Sequence, residues 1–236
     1  IEGDWQHDPG GLEPYTPVEG NLGTLSTGFT FDNTQSFAYS VVSEKGLRFS
    51  TDLRWSSPLV GSNWTEYHTR WRLTNYFGNP LIDHHVLRTQ LRGGWSGGRD
   101  RFLKTFSVGG YPDRDVVSDL MNNLGVGGTF LRGYPPSAIR GKQYHYLAAD
   151  YFLPVWRVRR GFETYSIFFR DLYLDVFGNG AGAFDSFSVD EFLWGAGAEL
   201  RLKTVIGFQP AIELVVGSAY GFQEPGGYSF YFMIGQ

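Results

Sequence analysis

The sequence predicts an all-β protein, and more specifically a transmembrane antiparallel β-barrel of which about nine strands are present. First, apolar and polar residues alternate with period two in many separate stretches. Second, 17% of the 236 residues are aromatic and 32 are glycine. Third, no stretch approaches the roughly 18 uninterrupted apolar residues that a transmembrane helix needs. A barrel strand combines these features because its lipid-facing side chains alternate with polar ones.

The predicted strands follow one another along the whole chain. In order, they lie near residues 25–31, 47–55, 67–77, 87–95, 147–155, 162–175, 192–202, 212–216 and 228–234. In the second strand, Leu47, Phe49 and Leu53 lie on one face, opposite Arg48 and Asp52. Many of the strands are about ten residues long, which is enough to cross a bilayer when tilted. A soluble β-sandwich is the alternative, but charges of both signs on the polar faces disfavour a dry core.

The links between the strands predict a topology. Short links at 78–81, 157–160 and 204–209 alternate with longer ones at 56–63, 96–142 and 178–188, as periplasmic turns and extracellular loops do. The first strand then starts on the long-loop side, whereas a complete barrel has both ends in the periplasm. We therefore expect further strands, either upstream or from another chain. Residues 1–20 are predicted to be a lead-in segment or a loop, and 21–236 the C-terminal part of a barrel.

Composition excludes several other classes of protein. The net charge of −4 without a basic block argues against a nucleic-acid partner. The absence of cysteine excludes disulfides, thiolate metal sites and cysteine nucleophiles. Residues 94–98 formally fit the G-x-S-x-G pattern of serine hydrolases, but no helix is predicted to follow them, as a nucleophile elbow requires. We predict no catalytic residue, no metal site and no cofactor.

Five ordered motifs point to one family. The long link 96–142 contains Phe106-Ser107-Val108-Gly109-Gly110-Tyr111 and Phe130-Leu131-Arg132-Gly133-Tyr134-Pro135-Pro136, and the next strand ends in Ala149-Asp150-Tyr151-Phe152-Leu153-Pro154. Two further matches are Leu174-Asp175-Val176-Phe177-Gly178-Asn179 and Trp194-Gly195-Ala196-Gly197-Ala198-Glu199-Leu200-Arg201. Here the sequence resembles the BamA/TamA/FhaC superfamily of outer-membrane β-barrels, the bacterial surface antigen family. The resemblance covers most of 21–236 and corresponds to strands eight to sixteen of a sixteen-stranded barrel. The chain ends without the terminal aromatic residue common in outer-membrane barrels.

The resemblance implies an anchored loop. Arg132 would hold the loop 96–142 inside the lumen by binding Asp150 and Asp175, with Gly133 permitting a tight turn and Tyr134 packing on the wall. The match around Asp175 has one residue too many before Gly178, so Asp171 is an alternative partner. Arginine suits this role because its guanidinium binds carboxylates bidentately. Alternatively, Arg132 is an ordinary solvated loop residue.

The family function implied is insertion of β-barrel proteins into the bacterial outer membrane, or translocation of polypeptides across it. The expected partners are outer-membrane lipid, unfolded client polypeptides, periplasmic or barrel-assembly subunits, and the missing barrel strands. The last strand would form one side of the seam, with its apolar face made by Tyr228, Phe230, Phe232 and Ile234. The alternatives are a passive pore or structural barrel, and a membrane anchor of an enzyme whose catalytic domain lies upstream.

Overall fold

A computed structural model of the chain describes residues 20–21, 23–37, 39–99, 106–110, 129–161, 165–186, 188, 191–207 and 211–235. The predicted lead-in 1–20 lies outside the described residues except for Gly20. Within the predicted loop 96–142, so do 100–105 and 111–128. In the described part of the chain, no helix has the length and apolar character needed to cross a membrane.

Most of the described residues lie in strands. The strands are β1 Thr24–Asp32, β2 Lys45–Ser56, β3 Glu66–Gly78, β4 Val86–Gly98, β5 Phe106–Gly109, β6 Thr129–Phe130, β7 Ile139–Gly141, β8 Gln143–Gly161, β9 Ile167–Phe184, β10 Leu193–Ile206, β11 Ile212–Gly221 and β12 Tyr228–Gly235. Nine of them form one antiparallel sheet in the order β1-β2-β3-β4-β8-β9-β10-β11-β12. The long loop contributes a separate small sheet, β6-β5-β7. The prediction of an all-β, antiparallel fold is confirmed.

The nine-stranded sheet has two chemically different faces. The register places paired residues on the same face, so that Phe49 lies opposite Leu73, and Arg54 opposite His68, across β2 and β3. One face, here called the outer face, carries large exposed apolar side chains. Its members include Leu25, Phe29, Leu53, Leu91, Trp95, Leu200, Val216 and Phe232. The opposite face, the inner face, carries the charged residues, and the long loop packs against it.

Strands β8 and β9 extend into links that the sequence pattern predicts. The predicted short turn 157–160 lies within β8, where the pairing with β9 shifts register and Arg159 has a positive φ of 42°. The predicted long link 178–188 begins inside β9, because the small residues after Gly178 continue the ladder with β8 as far as Phe184. Gly180 has room only for hydrogen, since a Cβ there would lie 2.6 Å from the Trp194 ring.

Two apolar clusters cover opposite ends of the inner face. The first lies under the long loop and includes Phe106, Leu131, Tyr134, Tyr144 and Tyr146. The second lies near the turn between β3 and β4 and is formed by Val41, Val86, Phe152 and Tyr173. Between them lies a row of buried charged side chains. Among the described strands, β1 pairs only with β2, and β12 only with β11, so the sheet is open at both edges.

Candidate functional site

Arg132 lies at the centre of the buried polar row and is only 5% exposed. Its Nη2 donates to Asp150 Oδ1 over 2.6 Å, and its Nη1 donates to Glu199 Oε1 over 3.1 Å. The guanidinium carbon lies 3.3 Å from the centre of the Phe177 ring. One loop arginine therefore contacts three strands of the main sheet, β8, β9 and β10, through side chains that all point to the inner face.

The small sheet of the loop holds Arg132 in place. β5 pairs with β6 in parallel, and Leu131 N donates to Gly109 O just before the arginine. Gly110 N donates to Pro135 O just after it. The Asn179 amide satisfies both its groups when its oxygen accepts from Arg132 N (2.9 Å) and its nitrogen donates to Gly195 O (2.8 Å). The backbone and the side chain of Arg132 are thus both bound.

Gly133 and Tyr134 attach the tip of the loop to the end of the sheet. Gly133 has a φ of 92°, and a Cβ at this position would lie 2.7 Å from Gly221 N. A side chain would therefore be excluded both by backbone conformation and by the neighbouring strand. The Tyr134 hydroxyl donates to Trp194 O over 2.6 Å and lies 2.8 Å from Gln223 Oε1. The loop tip thus contacts the backbone of β10 and the link between β11 and β12.

The carboxylates that bind Arg132 most closely differ in part from the pair that the resemblance implies. Asp150 is the direct partner, and it also pairs with Arg88 of β4 at 3.2 Å. Asp175 lies 3.8 Å from Arg132 Nη1 and pairs more closely, at 3.0 Å, with Arg201. Glu199 takes the second hydrogen bond from Arg132.

Further contacts extend this row into a network. Arg201 bridges Glu199 at 2.5 Å and Glu213 at 2.9 Å. The Tyr231 hydroxyl of β12 donates to Glu199 over 2.5 Å, and Tyr173 contacts Glu213. Three arginines thus stand among four carboxylates, each contributed by the inner face or by the loop. Such a network holds its members tightly, because removing one partner leaves the others buried and uncompensated.

The charge on Arg132 is stabilised by this arrangement. Burial by itself lowers the pKa of the guanidinium, but the Asp150 and Glu199 carboxylates outweigh burial and raise that pKa above its ordinary value. Arg132 therefore forms an ion pair at any pH at which Asp150 and Glu199 are ionised.

Asp171 lies apart from this network. It shares the inner face of β9 with Asp175 but lies four positions earlier in the strand, which corresponds to about 13 Å. Asp171 is buried, and its Oδ1 lies 3.6 Å from Arg159 Nε at the turn end of the sheet. Of the two aspartates that the sequence offered, the structure brings Asp175 near Arg132 and leaves Asp171 away from it.

The four apolar residues of the predicted seam strand all lie on the outer face of β12. Tyr228, Phe230, Phe232 and Ile234 are between 60% and 75% exposed. On the inner side of the same strand, a cavity of about 390 Å³ separates β12 from the loop tip. It is lined by Arg132, Tyr134, Pro135, Ser229 and Tyr231, among others.

Sequence reasoning missed several members of the network: Arg88, Glu199, Arg201, Glu213 and Tyr231. A signal for two of them was present. Glu199 and Arg201 alternate on the polar face of β10, in the stretch that carries one of the family motifs. Arg88 stands directly opposite Asp150 in the register of β4 and β8, but that register follows only from the three-dimensional pairing.

The described residues contain no group of three or more His, Asp or Glu side chains arranged to hold a metal ion. A scan against protein-family models and a search of curated proteins each found no match to the chain.

Proposed function

We propose that the chain is the C-terminal part of an outer-membrane β-barrel of the BamA/TamA/FhaC type, and that it takes part in inserting β-barrel proteins into that membrane or in translocating polypeptides across it. The observation that carries the proposal is the binding of Arg132, from the long loop, to Asp150 and Glu199 on the inner face. The same arginine belongs to the Arg-Gly-Tyr motif on which the resemblance rests.

The two faces of the sheet suit a barrel wall. The outer face presents aromatic and aliphatic side chains, which a bilayer would cover. The inner face carries charged networks that water or the loop can satisfy, and that lipid cannot. In this proposal the inner face lines the lumen, and the missing strands close the barrel between β1 and β12.

The free edge of β12 provides a mechanism without bond chemistry. A strand edge exposes unpaired N–H and C=O groups, which can pair with an incoming strand of a client protein. The loop tip is joined to the base of β12, because Gly227 N donates to Gly133 O over 3.1 Å. Anchoring the loop through Arg132 therefore positions the strand at which a client would pair.

An Arg132→Ala variant of the full-length protein, reconstituted in liposomes, tests the proposal. We expect client insertion or export to fall together with the protease resistance of the loop. Arg54→Ala is the matched control, since Arg54 pairs with Asp52 at 3.0 Å on the same inner face but with both side chains more than one-third exposed. The proposal fails if Arg132→Ala changes neither activity nor protease resistance.

A passive pore is the second candidate, favoured by the charged inner face. It predicts ion conductance across a planar bilayer with no client insertion, and conductance that increases when the Arg132 anchor is removed. Client insertion that depends on Arg132 argues against it. The third alternative, a membrane anchor for an upstream catalytic domain, predicts that the enzymatic activity survives Arg132→Ala.

A further inference from the structure

A second group of arginines on the inner face lacks the carboxylates that neutralise the Arg132 network. Arg72 of β3 stands directly opposite Arg92 of β4, and Arg70 follows on the same face two residues earlier. Like charges directly opposite one another in an antiparallel pair are destabilising. Neighbouring strands lie only a few ångströms apart, and so do successive residues on one face of a strand. The three side chains therefore start within about 10 Å of one another.

The donors of this arginine group are incompletely used. The Nε atoms of Arg70 and Arg92 are buried, and neither donates a hydrogen bond within the described part of the chain. Arg92 donates from Nη2 to Gln90 over 2.7 Å and lies 5.2 Å from the Tyr146 ring, and both of these partners are uncharged. The nearest carboxylate in the register, Asp52 opposite Arg70, is paired with Arg54.

Ion pairs elsewhere on the inner face emphasise the contrast. Arg48 pairs with Asp32 at 2.6 Å, and Arg88 with Asp150 at 3.2 Å. Within the described residues, no Asp or Glu forms an ion pair with Arg70, Arg72 or Arg92. Within the part of the chain that the structure describes, this surface therefore carries three arginines of which none forms an ion pair.

We propose that Arg70, Arg72 and Arg92 form a binding site for a phosphate-class dianion. Guanidinium groups bind phosphate oxygens bidentately, and several arginines around one ligand are the usual way to recognise a phosphate. A phosphate group carries about −1.5 to −2 charges at neutral pH, which offsets more of the excess than a single carboxylate does. The site does not require the insertion function, because it uses no residue of the Arg132 network.

Titration of the detergent-solubilised protein with inorganic phosphate, followed by calorimetry, tests the site. We expect saturable binding that sulfate displaces and acetate does not. Arg72→Gln should weaken the binding about tenfold or more, since it removes charge-assisted hydrogen bonds to the ligand. Arg72 is exposed, so this variant preserves the fold. Arg48→Gln, which removes an arginine already paired with Asp32, should leave the affinity unchanged.

A parallel titration with glucose 6-phosphate distinguishes two sources of the ligand. Tighter binding of the sugar phosphate identifies a phosphate ester, and tighter binding of inorganic phosphate identifies the free ion; either result supports the site. The proposal is overturned if phosphate does not bind at millimolar concentration, if acetate competes equally, or if Arg72→Gln binds like the wild type. Failure of the phosphate titrations would leave the Arg132 experiments unaffected. Failure of the Arg132 experiments would likewise leave the phosphate site unaffected.

Discussion

At the scale of single residues, Arg132 explains how a loop can be held against a sheet by one side chain. Three carboxylates lie within 4 Å of its guanidinium, and the aromatic ring of Phe177 covers one face of it. Burying one charge is costly, whereas burying it among fixed opposite charges and hydrogen bonds stabilises a single arrangement. The loop position therefore depends on a few named atoms, which makes it testable by single substitutions.

The two aspartates Asp150 and Asp171 should respond differently to neutralisation. Asp150→Asn removes the closest partner of Arg132 and should destabilise the docked loop by about 3–5 kcal/mol, since a buried charge loses its partner. Asp171→Asn acts at the turn end and should leave the loop docked. Limited proteolysis of the loop, read by mass spectrometry, measures both. Equal cleavage in the two variants would contradict the position assigned to Asp150.

Gly133 should tolerate alanine worse than Gly61, another glycine with a positive φ. Gly133→Ala combines a left-handed conformation with a Cβ 2.7 Å from Gly221 N, so the loop tip must move. Gly61→Ala also requires a positive φ, but a Cβ there meets nothing within 4 Å, so only the conformational cost of about 1–2 kcal/mol applies. The same proteolysis assay should show loop release in the first variant alone. A docked loop in Gly133→Ala would show that the close approach to β11 is not essential.

At the scale of elements, each strand separates two environments, and the loop sheet covers one of them. The outer face of β1 and β2 includes exposed apolar side chains such as Phe29 and Leu53, while their inner residues include Asp32, Arg48, Asp52 and Arg54. Small residues at the end of β9, from Gly178 to Ala183, let the loop and the Trp194 ring approach the sheet closely. The polarity of a strand's residues thus determines which of its faces the loop covers, and their size determines how closely the loop approaches.

Neighbouring residues of β1 should therefore differ in their tolerance of charge. Phe29→Arg places a cation on the outer face and should cost about 2–4 kcal/mol if that face meets the middle of a bilayer. Thr30→Arg places the same group on the inner face, next to exposed polar residues, and should cost much less. The midpoint of urea unfolding in lipid vesicles compares the two variants. Similar midpoints would argue against a lipid-covered outer face.

At the scale of the whole molecule, the main feature is an open sheet of nine strands. β9 is paired along its length on both sides, with β8 and β10, while β1 and β12 are each paired on one side within the described part of the chain. An unpaired strand edge is a site for pairing with another strand. The proposed barrel uses the edge of β1 for structural closure and the edge of β12 for function.

Amide hydrogen exchange should follow this order of pairing. In the chain of 236 residues, amides of β9 should exchange slowest, and those of β1 and β12 fastest, because local opening costs least where one side is unpaired. Addition of upstream barrel strands should protect β1 most strongly, while β12 remains labile as a seam. Mass spectrometry of the protein in detergent measures the exchange. Protection of β1 and β12 equal to that of β9 in the short chain would mean that the edges pair with one another or with a second copy.

The sequence by itself determined the strand faces and much of the strand order. Alternation placed charged residues such as Arg48 and Asp52 on one face of their strand, and the Arg-Gly-Tyr motif drew attention to Arg132. These features are local, since side-chain direction in a strand depends only on whether a position is odd or even. The ends of β8 and β9 were predicted less well, because arginines and glycines that usually favour turns are here held in the ladder by their neighbours.

Only the tertiary structure decided which charged groups meet. Arg132 and Glu199 are 67 residues apart, and their contact requires the path of the loop and the registers of the inner-face strands together. The same registers place Arg201 beside Asp175, move Asp171 out of reach, and set Arg72 against Arg92 without a carboxylate. A shift of one residue in any pairing would turn a strand's charged side chains to the other face. Which charged groups pair in these networks therefore depends on the assembled sheet and cannot be predicted from any single strand.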